Sequence, residues 1–423
     1  EREIRLIVMD AGREDAEADN DERGETERDA VTRWSDAMGV EASGERAEID
    51  VQDEAALFYT SGTTGPPKGV PLKHAHLDAQ LRAVEAAGII GEDDRVMLPL
   101  PLHHVYPFVI GMLAPLAMGS AVILPRALTG PQIQRALVEG EATALIGVPR
   151  LYRALLAALE GRAARSGWMA RAGLAAALGT SRSLRRMGLR SGSALMKPVR
   201  GRMAPALRIA ASGGGKLDPD TELTLEAIGW RVAVGYGLTE TAPLVTLKTP
   251  QEKRLGSVGR AVEGVEIRID REFQSESEDG EEVGPRHAMA GEVVVRGDCV
   301  FDGYRHLPEK TDEAFTADGW FRTGDLGWFD DDGLLRLEGR TSTLIVTEGG
   351  KNVQPQEVEE AYEQAEGVRE VGVLEGDEGL AAVVVPKAKA GESDRDDVGK
   401  AVEARSREIA EHHRLSDFVV SAE

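Results

Sequence analysis

Short apolar runs alternate with segments of helical periodicity between residue 55 and about residue 246. The runs, several rich in β-branched residues, are ALFYT, RVMLPL, AVILP, TALIGVP, LRIAAS and RVAVGYG. Between them, residues 74–89 place Leu77, Leu81 and Val84 on one helical face, and Asp218 followed by Pro219 is a typical helix start. Such alternation is typical of parallel strands joined by crossover helices, so it predicts an α/β core.

The pattern changes twice along the rest of the chain. After about residue 247, strand-like segments with glycine punctuation predict a smaller β-rich unit. From about residue 343, the order strand, helix, strand, strand, helix predicts a compact α+β unit. We therefore predict a large domain at 1–340, with an α/β part at 1–246 and a β-rich part at 247–340, and a small domain at 341–423.

One stretch is long enough to cross a bilayer. Residues 96–125 carry no formal charge, but they contain five prolines and two adjacent histidines. Prolines at that density interrupt a continuous helix, so the pieces VMLPLP and AVILP are interpreted as buried strands around a short helix.

Charge and cysteine content exclude several classes of protein. The net charge of −23 argues against nonspecific nucleic-acid binding, because an acidic surface repels the phosphate backbone. The single cysteine, Cys299, rules out an internal disulfide framework and is predicted to be a packed small hydrophobe. A reducing compartment, hence a cytoplasmic location, is expected.

The positive charge is concentrated in one segment. Residues 150–208 hold thirteen Arg and Lys residues against Glu160 alone, and within 160–200 the arginines interleave with Leu, Ala, Trp168 and Met. One interpretation is an amphipathic helix that contacts an anionic membrane, with Arg185, Arg186 and Arg190 among its basic residues. The alternative is a helical cover whose arginine stems shield the core.

The densest candidate for phosphate binding is the segment YTSGTTGPPKGV at 59–70. A strand runs into Thr60, Ser61, Gly62, Thr63, Thr64 and Gly65, and Lys68 follows a proline pair. Glycines let backbone N–H groups approach phosphate oxygens, while hydroxyls and a lysine add donors and charge. The kinase-type P-loop pattern does not fit this segment.

Several motifs occur in one order. They are SGGGKL at 212–217, GYGLTET at 235–241, GWFRTGDLG at 319–327, GR at 339–340 and GGKNVQPQEVEE at 349–360. Together with the 59–70 segment, they resemble the adenylate-forming superfamily, which includes acyl-CoA synthetases, peptide-synthetase adenylation domains and beetle luciferases. Within it, the chain is most similar to bacterial long-chain fatty-acid–CoA ligases.

The resemblance implies roles for the residues that match these motifs. Tyr236, beside Gly237, is expected to stack on adenine, with Gly213, Gly214 and Gly215 letting the base lie close. Thr239 would contact the α-phosphate, Thr60 and Glu240 would bind Mg²⁺, and Asp325 and Arg340 would hold the ribose side. The segment PLHHVYPF resembles the family's acyl-pocket motif. It implies that His104 lies beside the carboxylate of the acid substrate, with Tyr106 and Phe108 lining the acyl pocket. Gly349 and Gly350 would form the path of coenzyme A.

The resemblance also implies the reaction. A fatty acid is expected to be activated by ATP to acyl-AMP and then transferred to coenzyme A. Loading of a carrier protein, activation of an aryl or other acid, and nucleotide binding without turnover are alternatives.

Two departures from the family pattern bear on turnover. The hinge charges are absent from 341–343, and the lysine that relatives use for adenylation has no counterpart before Glu423. About the first hundred residues of the family's large domain also have no counterpart, so the chain is expected to be truncated at both ends. The resemblance further implies that the small C-terminal domain is mobile.

Overall fold

A computed structural model places most of the chain. The described residues are 6–8, 31–33, 48–60, 66–189, 191–271, 289–341, 345–346, 352–353, 355–376, 379–387, 392–409 and 413–421. The chain divides into two compact units, Glu1–Asp50 and Val51–Glu423. In the first unit, strands β1 (Leu6–Val8) and β2 (Val31–Arg33) pair in parallel.

The second unit contains the remaining elements. Its strands are β3 (Glu54–Thr60), β4 (Lys68–Lys73), β5 (Arg95–Met97), β6 (Ala121–Ile123), β7 (Ala144–Gly147), β8 (Ile209–Ser212), β9 (Arg231–Tyr236), β10 (Thr246–Lys248), β11 (Arg260–Ala261), β12 (Val265–Asp270), β13 (Gly291–Gly297), β14 (Phe321–Phe329), β15 (Leu335–Arg340), β16 (Ile345–Val346), β17 (Asn352–Val353), β18 (Val368–Gly376), β19 (Gly379–Pro386) and β20 (Leu415–Val420). Its helices are α1 (His74–Ala87), α2 (Ala114–Ala117), α3 (Gly130–Glu139), α4 (Pro149–Arg165), α5 (Trp168–Arg186), α6 (Lys197–Met203), α7 (Pro219–Ile228), α8 (Pro308–Ala314), α9 (Pro355–Tyr362) and α10 (Glu392–Ser406).

A seven-stranded sheet forms the centre of the second unit. Its order is β11-β10-β9-β8-β7-β5-β6, and the pairs from β9 to β6 are parallel. Strand β7 is buried at every position, as expected for a strand with helices on both faces. Helix α7 begins at Pro219, where the Asp218 side chain accepts a hydrogen bond from the Thr221 amide at 2.7 Å. The predicted α/β fold is confirmed.

Strands β3 and β4 depart from the predicted parallel arrangement. They form a separate antiparallel hairpin in which Thr60 pairs with Lys68. A connection of seven residues is too short for a parallel crossover, so these neighbouring strands pair antiparallel. Lys68 and Val70, the last part of the 59–70 segment, therefore lie on a strand.

The later elements form two smaller sheets. Strands β12 to β15 make an antiparallel sheet, and β18 pairs antiparallel with β19, which pairs in parallel with β20. Residues around Val358, Tyr362 and Val384 form a separate hydrophobic cluster with this last sheet. These observations agree with the expected β-rich and α+β parts, while the boundary between 340 and 341 stays a prediction.

The stretch 96–125 has the expected form. Strands β5 and β6 lie at its ends, and a π-helical segment, Pro107–Leu113, runs into the short helix α2 between them. Within the described residues, no helix is long and apolar enough to cross a membrane.

The arginine-rich segment forms helices α4, α5 and α6, and its arginines have different surroundings. Arg185 is buried and makes two 2.8 Å hydrogen bonds to Glu226 of α7. The expectation that Arg185 faces lipid is therefore wrong, because its charge is paired with the Glu226 carboxylate inside the protein. Arg186 is exposed and lies 3.6 Å from Asp220, and Arg190 lies outside the described residues.

Candidate functional site

A large cleft opens at the carboxyl ends of the parallel strands. Its volume is about 1620 Å³, and ligands of open α/β sheets bind in this position. Residues 213–215 follow β8, and Tyr236 ends β9, so both motifs reach the cleft because their strands end there. The predicted site residues that line it are Thr60, Lys68, His104, Tyr106, Gly213, Gly214, Gly215, Tyr236, Gly237, Thr239, Glu240, Asp325 and Arg340.

Tyr236, Asp325 and Arg340 form one hydrogen-bonded group in this cleft. The Tyr236 hydroxyl donates to Asp325 Oδ2 at 2.8 Å, and Arg340 Nε lies 3.1 Å from Asp325 Oδ1. Asp325 and Arg340 are direct cross-strand partners in β14 and β15. Burial raises the pKa of Asp325, against the opposing effect of Arg340.

A second group joins three distant segments. The Tyr304 hydroxyl donates to Glu240 Oε1 at 2.9 Å, and Lys68 Nζ lies 4.0 Å from the centre of the Tyr304 ring. All three residues line the cleft. Sequence reasoning missed Tyr304, because its partners are 64 and 236 positions away and nothing in DGYRHLPE indicates the contact.

The turn after β9 brings Thr239 and Glu240 into the cleft. It is a 3-10 turn over Thr239–Thr241, and the Ala242 amide donates to the Thr239 carbonyl at 3.3 Å. At Gly237 an added Cβ would lie 1.6 Å from the Pro243 carbonyl oxygen. Gly237, the second glycine in GYGLTET, is therefore required by the close approach of the two backbone segments.

Tyr106 occupies the space beside Gly213. Its hydroxyl lies 3.2 Å from the carbonyl oxygens of Gly147 and Ala211, and an added Cβ at Gly213 would meet the Tyr106 ring at 2.9 Å. The Tyr106 ring therefore fills the space that a side chain at Gly213 would need, and the expected closeness of adenine to Gly213 stays a prediction. Tyr106 is thus a fixed wall of the cleft.

His104 and Phe108 have different positions relative to the cleft. His104 lines it, with its ring 4.2 Å from that of His103, and burial together with His103 lowers the pKa of His104. Phe108 instead packs edge-to-face on Phe58, with ring centres 5.6 Å apart, and is not among the described residues that line the cleft. The π-helical segment directs Phe108 towards the hairpin, and its role in the acyl pocket stays a prediction.

Seven predicted site residues lie outside the described part of the chain. They are Ser61, Gly62, Thr63, Thr64, Gly65, Gly349 and Gly350.

The surroundings of Glu240 fit a divalent cation. Its side chain is 8% exposed, and among the described residues no Lys, Arg or His lies within ion-pair distance of it. The described residues also contain no group of three or more His, Cys, Asp or Glu side chains that could form a metal cage. A single buried carboxylate of this kind fits Mg²⁺, which is commonly held by one or two carboxylates together with substrate phosphates and water.

The comparison with known families gives the same result as the motifs. Residues 1–305 match the family described as AMP-binding enzyme. The chain belongs to this family. It spans about half the length of the curated relatives it matches.

Two relatives with equal sequence identity to this chain are named for different acids. A sulfoacetate–CoA ligase of Cupriavidus necator is 33% identical over 336 residues, covering 78% of this chain and 54% of that protein. The long-chain-fatty-acid–CoA ligase FadD15 of Mycobacterium bovis is 33% identical over 334 residues, covering 76% and 52%. Sequence identity therefore does not favour one acid.

Solved structures agree on the fold. ATP-bound MatB from Rhodopseudomonas palustris has 26% identity and a TM-score of 0.69, covering 99% of this chain and 75% of that one. O-succinylbenzoate coenzyme A synthetase (MenE) from Bacillus subtilis, in complex with ATP and a magnesium ion, has 23% identity and a TM-score of 0.70, covering 99% and 76%.

Proposed function

We propose that this protein activates a carboxylic acid with ATP and transfers the acyl group to coenzyme A. The observation that carries the proposal is the single cleft into which both polar groups project: Tyr236 with Asp325 and Arg340, and Lys68 with Tyr304 and Glu240. The first group offers a carboxylate to ribose hydroxyls beside an aromatic ring. The second offers a cation and a carboxylate for phosphates and their metal ion.

The chemistry assigned to these residues is positioning and charge stabilisation. The acid's carboxylate oxygen attacks the α-phosphorus, the bond to the β-phosphate breaks, and pyrophosphate leaves. Lys68 and Thr239 would contact phosphate oxygens, and Glu240 with Thr60 would hold Mg²⁺, which would supply positive charge to neutralise the phosphates. In the second step the thiol sulfur of coenzyme A forms a bond to the acyl carbon, AMP leaves, and the thiol proton passes to solvent.

A long-chain fatty acid is the acid we propose. Support comes from helices α4 to α6, which fill the long segment between β7 and β8. His104, which lines the cleft, is proposed to lie beside the substrate carboxylate.

We also propose that the corner between α4 and α5 contacts an anionic membrane. Trp168 is 79% exposed and Met169 is 71% exposed there, and Arg165 and Arg171 flank them on exposed positions. Apolar side chains flanked by arginines are typical of surfaces that enter a lipid headgroup layer.

A pyrophosphate-release screen tests the proposed function. Long-chain fatty acids, aryl acids, sulfoacetate and dicarboxylic acids are supplied with ATP, each with and without coenzyme A. Release that depends on a long-chain acid, with AMP release accelerated by coenzyme A, is the expected result. Turnover with another acid would overturn the substrate assignment, and an adenylate that persists with coenzyme A would indicate a carrier-protein acceptor. In the full-length protein, ATP binding without turnover on any acid would indicate a non-catalytic relative.

A further inference from the structure

Tyr304 lies between the two charged side chains of the phosphate side of the cleft. Its side chain is 9% exposed. The hydroxyl donates to Glu240 Oε1 at 2.9 Å, while the ring face lies 4.0 Å from Lys68 Nζ. One aromatic residue therefore contacts a cation and an anion that come from strand β4 and from the turn after β9.

The hydroxyl fixes one oxygen of the Glu240 carboxylate. The Phe301 amide also donates to the Glu240 main-chain carbonyl at 2.8 Å, so the backbone and the side chain of this residue are both anchored by the segment 301–304. With Oε1 bonded to Tyr304, the other carboxylate oxygen is left for a metal ion. Hydrogen bonds of this kind orient metal ligands, and their loss typically lowers metal affinity about 10- to 100-fold.

A second aromatic side chain holds the Tyr304 ring in place. Phe301 packs edge-to-face on the Tyr304 ring with centres 4.9 Å apart, which restricts the ring that lies under Lys68. Cations are attracted to the face of such a ring.

We propose that Tyr304 is a positioning residue that holds Glu240 in the orientation that binds the metal ion and keeps Lys68 beside the phosphates. The inference deepens the proposed function, since it concerns the metal and phosphate side of the same cleft. It requires that Tyr304 acts on metal binding through Glu240, which a residue that only packs in the core would not do.

The test measures ATP binding by calorimetry at increasing free Mg²⁺. Tyr304→Phe keeps the ring over Lys68 and removes only the hydroxyl. The expected result is an increase of about tenfold in the Mg²⁺ concentration that gives half-maximal enhancement of ATP binding, with metal-free ATP binding unchanged. Tyr362→Phe is the matched control, because it removes a hydroxyl from a fully buried tyrosine that bonds Ser406 in another cluster.

A double-mutant cycle separates positioning from packing. In a Glu240→Gln background, Tyr304→Phe is expected to leave the Mg²⁺ requirement unchanged, because the group on which it acts has been altered. An equal effect in both backgrounds, or a wild-type Mg²⁺ requirement in Tyr304→Phe, would overturn the proposal. Thermal unfolding of all variants checks folding, and Tyr304→Leu supplies a second variant, expected also to weaken metal-free ATP binding through loss of the ring under Lys68.

A failure of the proposed function would give a different result from a failure of the role proposed for Tyr304. If the wild-type protein itself does not bind ATP at any Mg²⁺ concentration, both the function and the role of Tyr304 are refuted. If wild type binds ATP with a Mg²⁺ requirement that Tyr304→Phe does not alter, only the role of Tyr304 is refuted.

Discussion

Asp325 lies directly opposite Arg340 across the antiparallel pair β14–β15, with Arg340 Nε 3.1 Å from Asp325 Oδ1. The register therefore sets the contact between TGDLG and the GR dipeptide. Tyr236 adds a hydrogen bond from a different sheet, at 2.8 Å from Asp325 Oδ2. The carboxylate is held by groups from both sheets that border the cleft, which fixes its position there.

Asp325→Ala should weaken ATP binding at least about tenfold, because hydrogen bonds from the ribose to a charged acceptor are lost. Binding of 2′,3′-dideoxy-ATP, which lacks those hydroxyls, should change much less. Calorimetry with both nucleotides checks this. Asp318→Ala is the control, because Asp318 is an exposed carboxylate paired with Arg268. Equal losses for the two nucleotides would contradict a ribose contact.

Lys248→Met should reduce the free energy of unfolding by about 3–5 kcal/mol, since it leaves Glu222 as an uncompensated buried charge. Lys248 and Glu222 form an ion pair at 2% and 1% side-chain exposure. Chemical denaturation of the single variant and of Glu222→Gln/Lys248→Met measures the effect. The double variant should recover most of the loss, and failure to recover would show that the packing of the lysine stem matters more than its charge.

Asp94→Asn should lower the free energy of unfolding by about 2 kcal/mol at neutral pH, a value that allows for the half-exposed Arg208. Burial raises the pKa of Asp94, but hydrogen bonds from Arg208 and Thr143 outweigh it, and the net pKa is lowered. A carboxylate with a lowered folded-state pKa stabilises the protein above its unfolded pKa, and this contribution is lost as the pH falls through the folded pKa.

The difference between wild type and Asp94→Asn should therefore be constant near neutral pH and shrink below about pH 4. Denaturation curves over this pH range measure it. A difference that stays constant into acid would contradict the assignment of the stabilisation to the ionised carboxylate.

The double variant Trp168→Ser/Met169→Ser should bind vesicles containing an anionic phospholipid at least about fivefold more weakly than wild type, because its apolar contacts with the lipid interface are lost. Co-sedimentation at low and high salt measures binding. Leu195→Ser is the control, since Leu195 is also exposed, at 50%, but lies outside the α4–α5 corner. Unchanged vesicle binding in the double variant would refute the membrane contact.

Residues 59–73 and 213–241 show what the sequence predicted well and what it missed. Strand and helix periodicity predicted the parallel core, and the N-cap at Asp218 predicted the start of α7. The hairpin β3–β4 was missed, because apolar content does not distinguish a strand of the central sheet from one that pairs locally.

The functional site, too, was predicted only in part from the sequence. Motif order placed Tyr236, Glu240, Asp325 and Arg340 in one cleft. It did not find Tyr304, whose role depends on a contact with Glu240 across 64 residues. The sequence also misassigned the surroundings of Arg185, because a pattern along one helix does not reveal the neighbour that covers it, here Glu226.

The most direct measurement of the central claim is acid-dependent exchange of labelled pyrophosphate into ATP. Exchange should require a carboxylic acid and should be retained in Tyr362→Phe. In Glu240→Gln it should fall by about two orders of magnitude or more, because a charged carboxylate ligand of the metal is replaced by a neutral amide. Exchange at the wild-type rate in Glu240→Gln, or exchange that is independent of any acid, would contradict the account.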